Sequence, residues 1–149
     1  MPPVIAVIGR ISDWKGQDVL VRALAEPALR EIGTLGDVAS VYGAADVIAV
    51  PSTAPDPLPG TAIEAAAAGC AVVASAHGGL PEIIRDRCTG RLVAAGDAPA
   101  LARAARELIE DRTPRERVGA AAARDVRERY APERLLAAIH ALYGSVLRS

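Results

Sequence analysis

Four short runs of the chain are apolar at almost every position, without the alternation expected of a strand with one exposed face. They are Val4–Gly9, Val47–Ser52, Ala71–Ser75 and Arg91–Ala95. Continuous apolar runs of this length are typical of parallel strands that are covered by helices on both faces. A fifth segment, Ile32–Leu35, is a very short candidate for an extra strand.

Segments with helical spacing separate these runs. The pattern predicts a helix from Gly16 to about Glu31, which Pro27 ends or kinks. A short helix is expected in "GDVASVYGAAD", and another in "GTAIEAAAAG", where Gly69 stops it. The alternation of strands and helices predicts an α/β fold, with a Rossmann-like parallel sheet between two layers of helices.

From about residue 97 onward the pattern is helical throughout. Asp97 can cap the first of these helices, and Thr113–Glu116 ("TPRE") resembles a capping box with proline at the first helical position. Pro132 begins a final helix. The apolar stripe of this helix is wider than that of a helix packed against a single surface, so we expect the helix to bind a partner. The stripe consists of Leu135, Leu136, Ile139, Leu142, Tyr143, Val146 and Leu147.

Length and charge narrow the possible functions. The 149 residues fit one domain, residues 1–149, and the net charge of -1 gives no basic face for nucleic acid. No apolar run reaches the ~20 residues of a transmembrane helix, and the start of the chain lacks the features of a signal peptide. The expected location is the cytoplasm, with peripheral attachment to the inner face of the membrane as an option. Cys70 and Cys88 lack metal spacing and are expected to be free thiols.

The first candidate for chemistry is the loop "GRISDWKG", which Gly9 and Gly16 bound. It contains Arg10 and Lys15, the only lysine of the chain, and it leads into the start of a helix. A helix start favours anions, and the two cations together could bind phosphate. From position alone, Lys15 could equally be a solvated surface residue.

The second candidate is "STAPDPLPGTAIE", which follows the second strand. It places two carboxylates, Asp56 and Glu64, eight residues apart, and the start of a helix at Gly60 and Thr61 supplies free N–H groups that could receive a diphosphate. Glu64 stands in an alanine-rich helix, and its alternative interpretation is a lone solvated glutamate.

The third candidate, "AHGGLPE", follows the third strand. Gly78 and Gly79 would let the backbone approach a ligand closely. His77 and Glu82 have simpler interpretations, as an ordinary histidine at a strand end and as a helix-initiating residue. In an open parallel sheet, ligands bind beyond the carboxyl ends of the strands, where all three candidates would lie.

At these residues the chain resembles the retaining glycosyltransferases of family 4, which have the GT-B fold and use nucleotide sugars. It is similar to their carboxyl-terminal, donor-binding domain, one half of a GT-B fold. Five ordered motifs carry the resemblance; they are "GRISDWKGQDVLVRAL", "VYGAADVIAVPS", "DPLPGTAIEAAAAGCAVVAS", "GGLPEII" and "TGRLVAAGD".

The resemblance implies a role for each matching residue. Arg10 and Lys15 would neutralise the donor diphosphate as it leaves, so that no metal or other cofactor is expected. Asp56 would contact the transferred sugar, and Glu64 would hold the ribose hydroxyls. Backbone from Leu58 to Thr61 would meet the phosphates, although Asp56 is one carbon shorter than the usual glutamate and Pro59 cannot donate an N–H.

Two parts of the family pattern have no counterpart in the sequence. Only "MPP" precedes the first strand, so we expect the acceptor-binding domain to be missing. The stretch "REIGTLGDVASVYGAAD" is also too short for the strand–helix–strand unit of ~30 residues that the family has there.

We therefore expect a shortened donor domain that binds phosphate, binds the base poorly and does not catalyse the reaction alone. Its partners would be a nucleotide diphosphate sugar, and either the missing domain or a second copy through the final helix. A non-catalytic scaffold module derived from such a domain is the alternative.

Overall fold

The computed structural model describes residues 4–24 and 37–147. Its centre is a sheet of four parallel strands in the order β1-β2-β3-β4; they are β1 (Ile5–Val7), β2 (Val47–Val50), β3 (Ala71–Ser75) and β4 (Arg91–Val93). All four predicted strands are confirmed, although β1, β2 and β4 are shorter than their apolar runs. Residues 32–35 lie outside the described residues.

Helices cover both faces of the sheet, as the sequence predicts. They are α1 (Gln17–Leu24), α2 (Val38–Ala44), α3 (Gly60–Ala67), α4 (Leu80–Ile83), α5 (Ala98–Glu110), α6 (Arg112–Arg129) and α7 (Pro132–Val146). Successive residues of a strand point to opposite faces, so Ile48 packs with α2, α3 and α4, whereas Val47 packs with α1 and α5. Both side chains are fully buried. The predicted continuation of α1 to about residue 31 lies outside the described residues.

One helix, α1, lies on a different face of the sheet from the helices that connect the later strands. The four strands lie side by side in the order in which they occur along the chain. If every connection between them is a right-handed crossover, all the connecting helices should lie on the same face of the sheet. The helices α2, α3 and α4 obey this rule, but α1 packs on the other face with α5. A right-handed crossover through α1 would lead to a strand beyond β1. The expected loss of a strand–helix–strand unit stays a prediction, because residues 25–36, which join α1 to α2, lie outside the described residues.

The helix starts confirm one predicted cap and correct another. Asp97 Oδ1 accepts a hydrogen bond from the amide of Ala100 (2.8 Å) and begins α5, as predicted. The predicted capping box at Thr113–Glu116 is wrong. Asp111 caps α6 instead, because its Oδ1 accepts from the Thr113 amide (2.9 Å), and Glu116 pairs with Arg112 Nε (2.6 Å).

The final helix, α7, contributes no buried residue to the described part of the chain. The exposure of its apolar stripe ranges from 37% at Ile139 to 83% at Leu147. Most of the surface of the stripe is thus exposed in the described part of the chain, as its width predicts. None of the described helices combines the length and the apolar character that a bilayer crossing requires.

The close packing of α6 on the end of α3 can be tested at Gly119. A methyl group there would overlap the carbonyl oxygen of Gly69, whereas one at Gly43 would meet nothing within 4 Å. We expect Gly119→Ala to lower the free energy of unfolding by about 1–3 kcal/mol. The matched change Gly43→Ala, also inside a helix, should raise it by about 0.5–1 kcal/mol. Urea denaturation of both variants measures the difference, and equal effects would contradict the packing.

Candidate functional site

The loops that follow β1, β2 and β3 meet at one edge of the sheet. The amide of Thr53 donates to the carbonyl of Trp14 (2.8 Å), which joins the first two loops. The amide of Gly79 donates to the carbonyl of Asp56 (2.7 Å), which joins the second and third. The three stretches predicted to carry chemistry therefore form one continuous surface.

Lys15 is held inside this surface. Its Nζ donates to Asp56 Oδ2 at 2.8 Å and lies 4.2 Å from the centre of the Trp14 ring. The side chains of Lys15 and Asp56 are only 21% and 11% exposed. Gly16 lets the loop approach β2 this closely, since its φ is +73° and a side chain there would overlap the carbonyl of Pro51. The alternative interpretation of Lys15 as a solvated surface residue is wrong.

Arg10 and Gly9 lie on the same loop with different surroundings. Gly9 lies against the aliphatic part of Lys15, because a Cβ at Gly9 would be 3.8 Å from Lys15 Cδ. Arg10 is exposed, and its guanidinium makes no hydrogen bond or ion pair with any residue described. Only its carbonyl is used, as an acceptor for Gln17 Nε2 (2.8 Å). The structure thus brings Lys15 into the site, whereas the role of Arg10 stays a prediction.

The start of α3 lies over the end of β1. Thr61 Oγ1 donates to the carbonyl of Ile8 (3.4 Å), which fixes this placement. The N-cap residue is Pro59, whose side chain accepts no hydrogen bond, so the first amides of α3 have no side-chain acceptor. Gly60 is exposed and Leu58 is 63% exposed. The amide of Ala62 donates to the carbonyl of Pro59 (3.0 Å), whereas the amides of Gly60 and Thr61 have no acceptor among the described residues. These two amides lie beside the loop of Lys15.

Glu64 lies on the first turns of α3 and has a protein partner. Its Oε2 accepts a hydrogen bond from the hydroxyl of Tyr42 at 2.8 Å. Tyr42 is 8% exposed, and burial, followed by this hydrogen bond to Glu64, raises the pKa of the phenol above its ordinary range. The alternative of a lone solvated Glu64 is therefore wrong. Sequence reasoning missed Tyr42 as a site residue, although it lies in the quoted motif "VYGAADVIAVPS".

The glycines of the third stretch pack against protein rather than open space. A Cβ at Gly78, where φ is +58°, would lie 2.6 Å from the carbonyl oxygen of Asp56. One at Gly79 would overlap the carbonyl of Pro57. The close approach predicted for a ligand is thus made by the chain's own proline-rich loop, because that loop folds back over β3. The glycines hold Asp56 in place.

The remaining residues of this stretch have structural surroundings. His77 Nε2 donates to the carbonyl of Ser52 (2.7 Å), which ties the loop after β3 to the end of β2. Glu82 lies in the first turn of α4, where it was expected to initiate a helix. Among the residues that the structure describes, no three histidine, cysteine, aspartate or glutamate side chains are grouped to hold a metal ion.

A groove of about 490 Å³ lies at the opposite edge of the sheet. Its charged side chains are already paired, Arg115 with Asp46 at 3.1 Å and Arg112 with Glu116 at 2.6 Å. None of the predicted site residues lines it. We therefore locate the candidate site at the carboxyl edge.

Solved structures share this fold. Anabaena HepE, solved in complex with UDP-glucose, is 25% identical with a TM-score of 0.89, and the match covers 97% of this chain and 49% of HepE. Sucrose-phosphate synthase of Thermosynechococcus elongatus is 27% identical with a TM-score of 0.88, over 99% of this chain and 46% of that protein. A carboxyl-terminal domain alone, from the group 1 glycosyl transferase LpcC of Francisella tularensis, has a TM-score of 0.75 at 24% identity over 87% of this chain and 88% of its own, which shows the fold only.

Curated relatives give the same result at the level of sequence. The D-inositol 3-phosphate glycosyltransferase of Corynebacterium aurimucosum is 32% identical over 159 positions, which take in 80% of this chain and 38% of that protein. The Mycobacterium tuberculosis protein of the same name is 34% identical over 60% of this chain and 26% of its own length. The chain thus spans well under half of these relatives. Because 159 positions exceed the 149 residues of the chain, the first relative also carries residues that this chain lacks.

A family match covers most of the chain. Residues 28–125 match the family described as glycosyl transferases group 1, and they include α3, Asp56 and Glu64. The fold agrees, since the four-stranded parallel sheet with helices on both faces is that of the carboxyl-terminal half of GT-B glycosyltransferases. On both grounds, the chain belongs to the glycosyl transferases group 1.

Proposed function

We propose that this chain is the donor-binding half of a retaining glycosyltransferase of family 4, and that it binds the diphosphate and the sugar of a nucleotide sugar. The observation that carries the proposal is the contact between Lys15 and Asp56 beside the uncapped start of α3. Further support comes from Anabaena HepE, which shares the fold and was solved with UDP and with UDP-glucose. UDP is therefore the first ligand to test.

Each group has a defined task in the proposed reaction. The bond between the sugar C1 and the terminal phosphate oxygen breaks, and its electron pair stays on the phosphate. The acceptor oxygen forms a bond to C1, and its proton passes to the released diphosphate. Lys15, the first amides of α3 and Arg10 stabilise the negative charge that develops on the leaving diphosphate. Asp56 contacts the sugar, Glu64 contacts the ribose, and no metal takes part.

The ion pair implies an exchange of partners when the donor binds. Without a ligand, the charge of Lys15 is offset by Asp56 at 2.8 Å. A diphosphate offers Lys15 a stronger partner, and the flexible lysine stem can turn toward it. The turn releases the Asp56 carboxylate, which is then free to accept hydrogen bonds from sugar hydroxyls. Diphosphate binding would thus make the Asp56 carboxylate available for its contact with the sugar.

We expect no turnover by this chain alone. The match covers 49% of HepE and 38% of the Corynebacterium relative, and the acceptor has to be held by a surface outside the matched part. The topology beside β1, and the extra residues of the first relative, also favour the loss of a unit that would border the nucleobase. The base should therefore add little to the affinity for the diphosphate.

We further propose that the stripe of α7 binds a second copy of this chain. An antiparallel pair of α7 helices would be related by a two-fold axis, so each stripe would cover the other. Burial of one large aliphatic side chain is worth about 1.5–3 kcal/mol. The stripes of two copies together offer several such side chains, and their burial would offset an association cost of about 4–15 kcal/mol.

The diphosphate site is tested by Lys15→Ala. Charge-assisted hydrogen bonds contribute roughly 1.5–3 kcal/mol, so the affinities for UDP and for inorganic pyrophosphate should both fall at least about tenfold. Calorimetry measures them, and the fluorescence of Trp14, the only tryptophan, gives a second signal beside Lys15. Arg22→Ala, which removes an exposed cation paired with Asp18, is the matched control.

Two results would contradict the donor site. One is equal loss of affinity in the Lys15 and Arg22 variants, which would indicate a nonspecific charge effect. The other is the absence of binding by the wild-type chain at millimolar UDP and pyrophosphate, which would favour the non-catalytic scaffold module.

The exchange of partners is tested by Asp56→Asn. Removal of the carboxylate charge leaves Lys15 without its competitor, so pyrophosphate should bind about three- to tenfold more tightly. UDP-glucose should gain less than UDP, because the sugar loses an anionic acceptor. Calorimetric titration with all three ligands measures this, and weaker pyrophosphate binding by the variant would refute the exchange.

The association through α7 is tested by Leu142→Glu. This change places a charge in the apolar stripe, whereas Ala141→Glu places one on the opposite side of α7. Sedimentation over a range of concentrations should show a dimer for the wild-type chain and for Ala141→Glu, and a monomer for Leu142→Glu. A monomeric wild-type chain would leave the stripe to another partner and refute the pairing.

A further inference from the structure

Glu64 combines an exposed position with a buried anchor. Its side chain extends from the exposed surface of α3, where a glutamate would ordinarily sample many rotamers and would lose entropy when it is fixed. The hydroxyl of Tyr42 reaches it from the core and donates to Oε2 at 2.8 Å. One of the few aromatic side chains of the protein thus fixes the position of a surface carboxylate.

Tyr42 is itself firmly held. Its ring is 8% exposed and packs in the cluster that joins α2, α3 and the sheet. Its carbonyl accepts a hydrogen bond from Cys70 Sγ at 3.1 Å, which ties the end of α2 to the start of β3. The position of the Tyr42 hydroxyl is therefore fixed by the core, and this hydroxyl determines where the Glu64 carboxylate lies.

We propose that Tyr42 is a positioning residue, which fixes the Glu64 carboxylate so that it accepts hydrogen bonds from both ribose hydroxyls of the donor. The inference rests on the proposed function, because it assumes that the donor is a ribonucleotide. It adds to that function a residue that makes the site selective for ribose.

The free acceptors of Glu64 fit this task. A carboxylate offers about four lone-pair sites, and Tyr42 uses one of them on Oε2. Among the residues that the structure describes, none donates to Oε1. This oxygen lies 3.5 Å from the position that a Cβ of Gly60 would take, so it is close to the start of α3. A pair of neighbouring hydroxyls can therefore approach both oxygens from the side where the diphosphate would be bound.

The hydrogen bond also keeps its direction over a wide pH range. Burial of Tyr42, and then its contact with Glu64, raise the pKa of the phenol, while a smaller effect of the nearby Cys70 acts in the same sense. The phenol thus remains a neutral donor at neutral pH and in mildly alkaline solution. Glu64 accepts the bond and keeps its other lone pairs for a ligand.

The test compares ligands with and without the ribose hydroxyls. We expect the wild-type chain to bind UDP more tightly than 2′,3′-dideoxyuridine diphosphate. Tyr42→Phe keeps the ring and its packing, so it should lower the affinity for UDP about three- to tenfold, as expected when one hydrogen bond is lost. The affinities for the dideoxy ligand and for inorganic pyrophosphate should stay unchanged. Tyr130→Phe, which removes the hydroxyl of a tyrosine at the end of α6, is the matched control.

A double-mutant cycle separates positioning from loosening of the fold. In a Glu64→Gln background, Tyr42→Phe should change the preference for UDP over the dideoxy ligand much less than in the wild-type chain, because both changes act through one carboxylate. Urea denaturation of each variant shows whether the fold is retained.

Several outcomes would overturn the inference. An equal preference for UDP in the wild type and in Tyr42→Phe would do so, and so would the absence of any preference in the wild type. A parallel loss of pyrophosphate affinity in Tyr42→Phe would indicate a purely structural role. If pyrophosphate binds and depends on Lys15, the proposed function stands even where the ribose preference fails. If neither UDP nor pyrophosphate binds the wild type, both proposals fall.

Discussion

The site depends on the close approach of the loop after β1 to the end of β2. At Gly16 the backbone has a φ of +73°, and the carbonyl of Pro51 occupies the space where any side chain would begin. This approach presses Lys15 against the proline-rich loop, where Asp56 meets it at 2.8 Å. Gly78 and Gly79 complete the arrangement from the other side, because they let the backbone of the same loop rest on the end of β3.

Two charged groups of the site, Lys15 and Glu64, have partners within the chain. Lys15 is paired with Asp56, and Glu64 accepts a hydrogen bond from Tyr42. A half-buried charge without a partner would cost several kcal/mol, so the pairing of Lys15 with Asp56 stabilises the fold. Under the proposed function, binding would be an exchange. A diphosphate would take Lys15 from Asp56, whereas a ribose would use the lone pairs that Tyr42 leaves on Glu64.

The topology bears on how a nucleotide would be held. In doubly wound sheets the ligand crevice lies where the strand order reverses. The order of the four described strands does not reverse, but α1 and α2 lie on opposite faces of the sheet, so a reversal would lie at β1, the edge strand of the described sheet. Lys15 follows β1, and Asp56 and the start of α3 follow β2. Under the proposed function, a nucleotide would be held there mainly by its phosphates, because the described sheet has no strand beyond β1 to border the base.

The sequence by itself determined the strands, the alternation with helices, the cap at Asp97 and the exposed stripe of α7, because burial and backbone preference are recorded in local spacing. It also singled out Lys15, Asp56 and Glu64 as chemically unusual. Their partners were decided only by the tertiary structure. Lys15 meets Asp56 across 41 residues, and Tyr42 meets Glu64 across 22, so both contacts depend on how the strands align. The same holds for Gly78, whose neighbour is a distant loop. Local pattern carries no information about such register, since it arises only when the sheet is assembled.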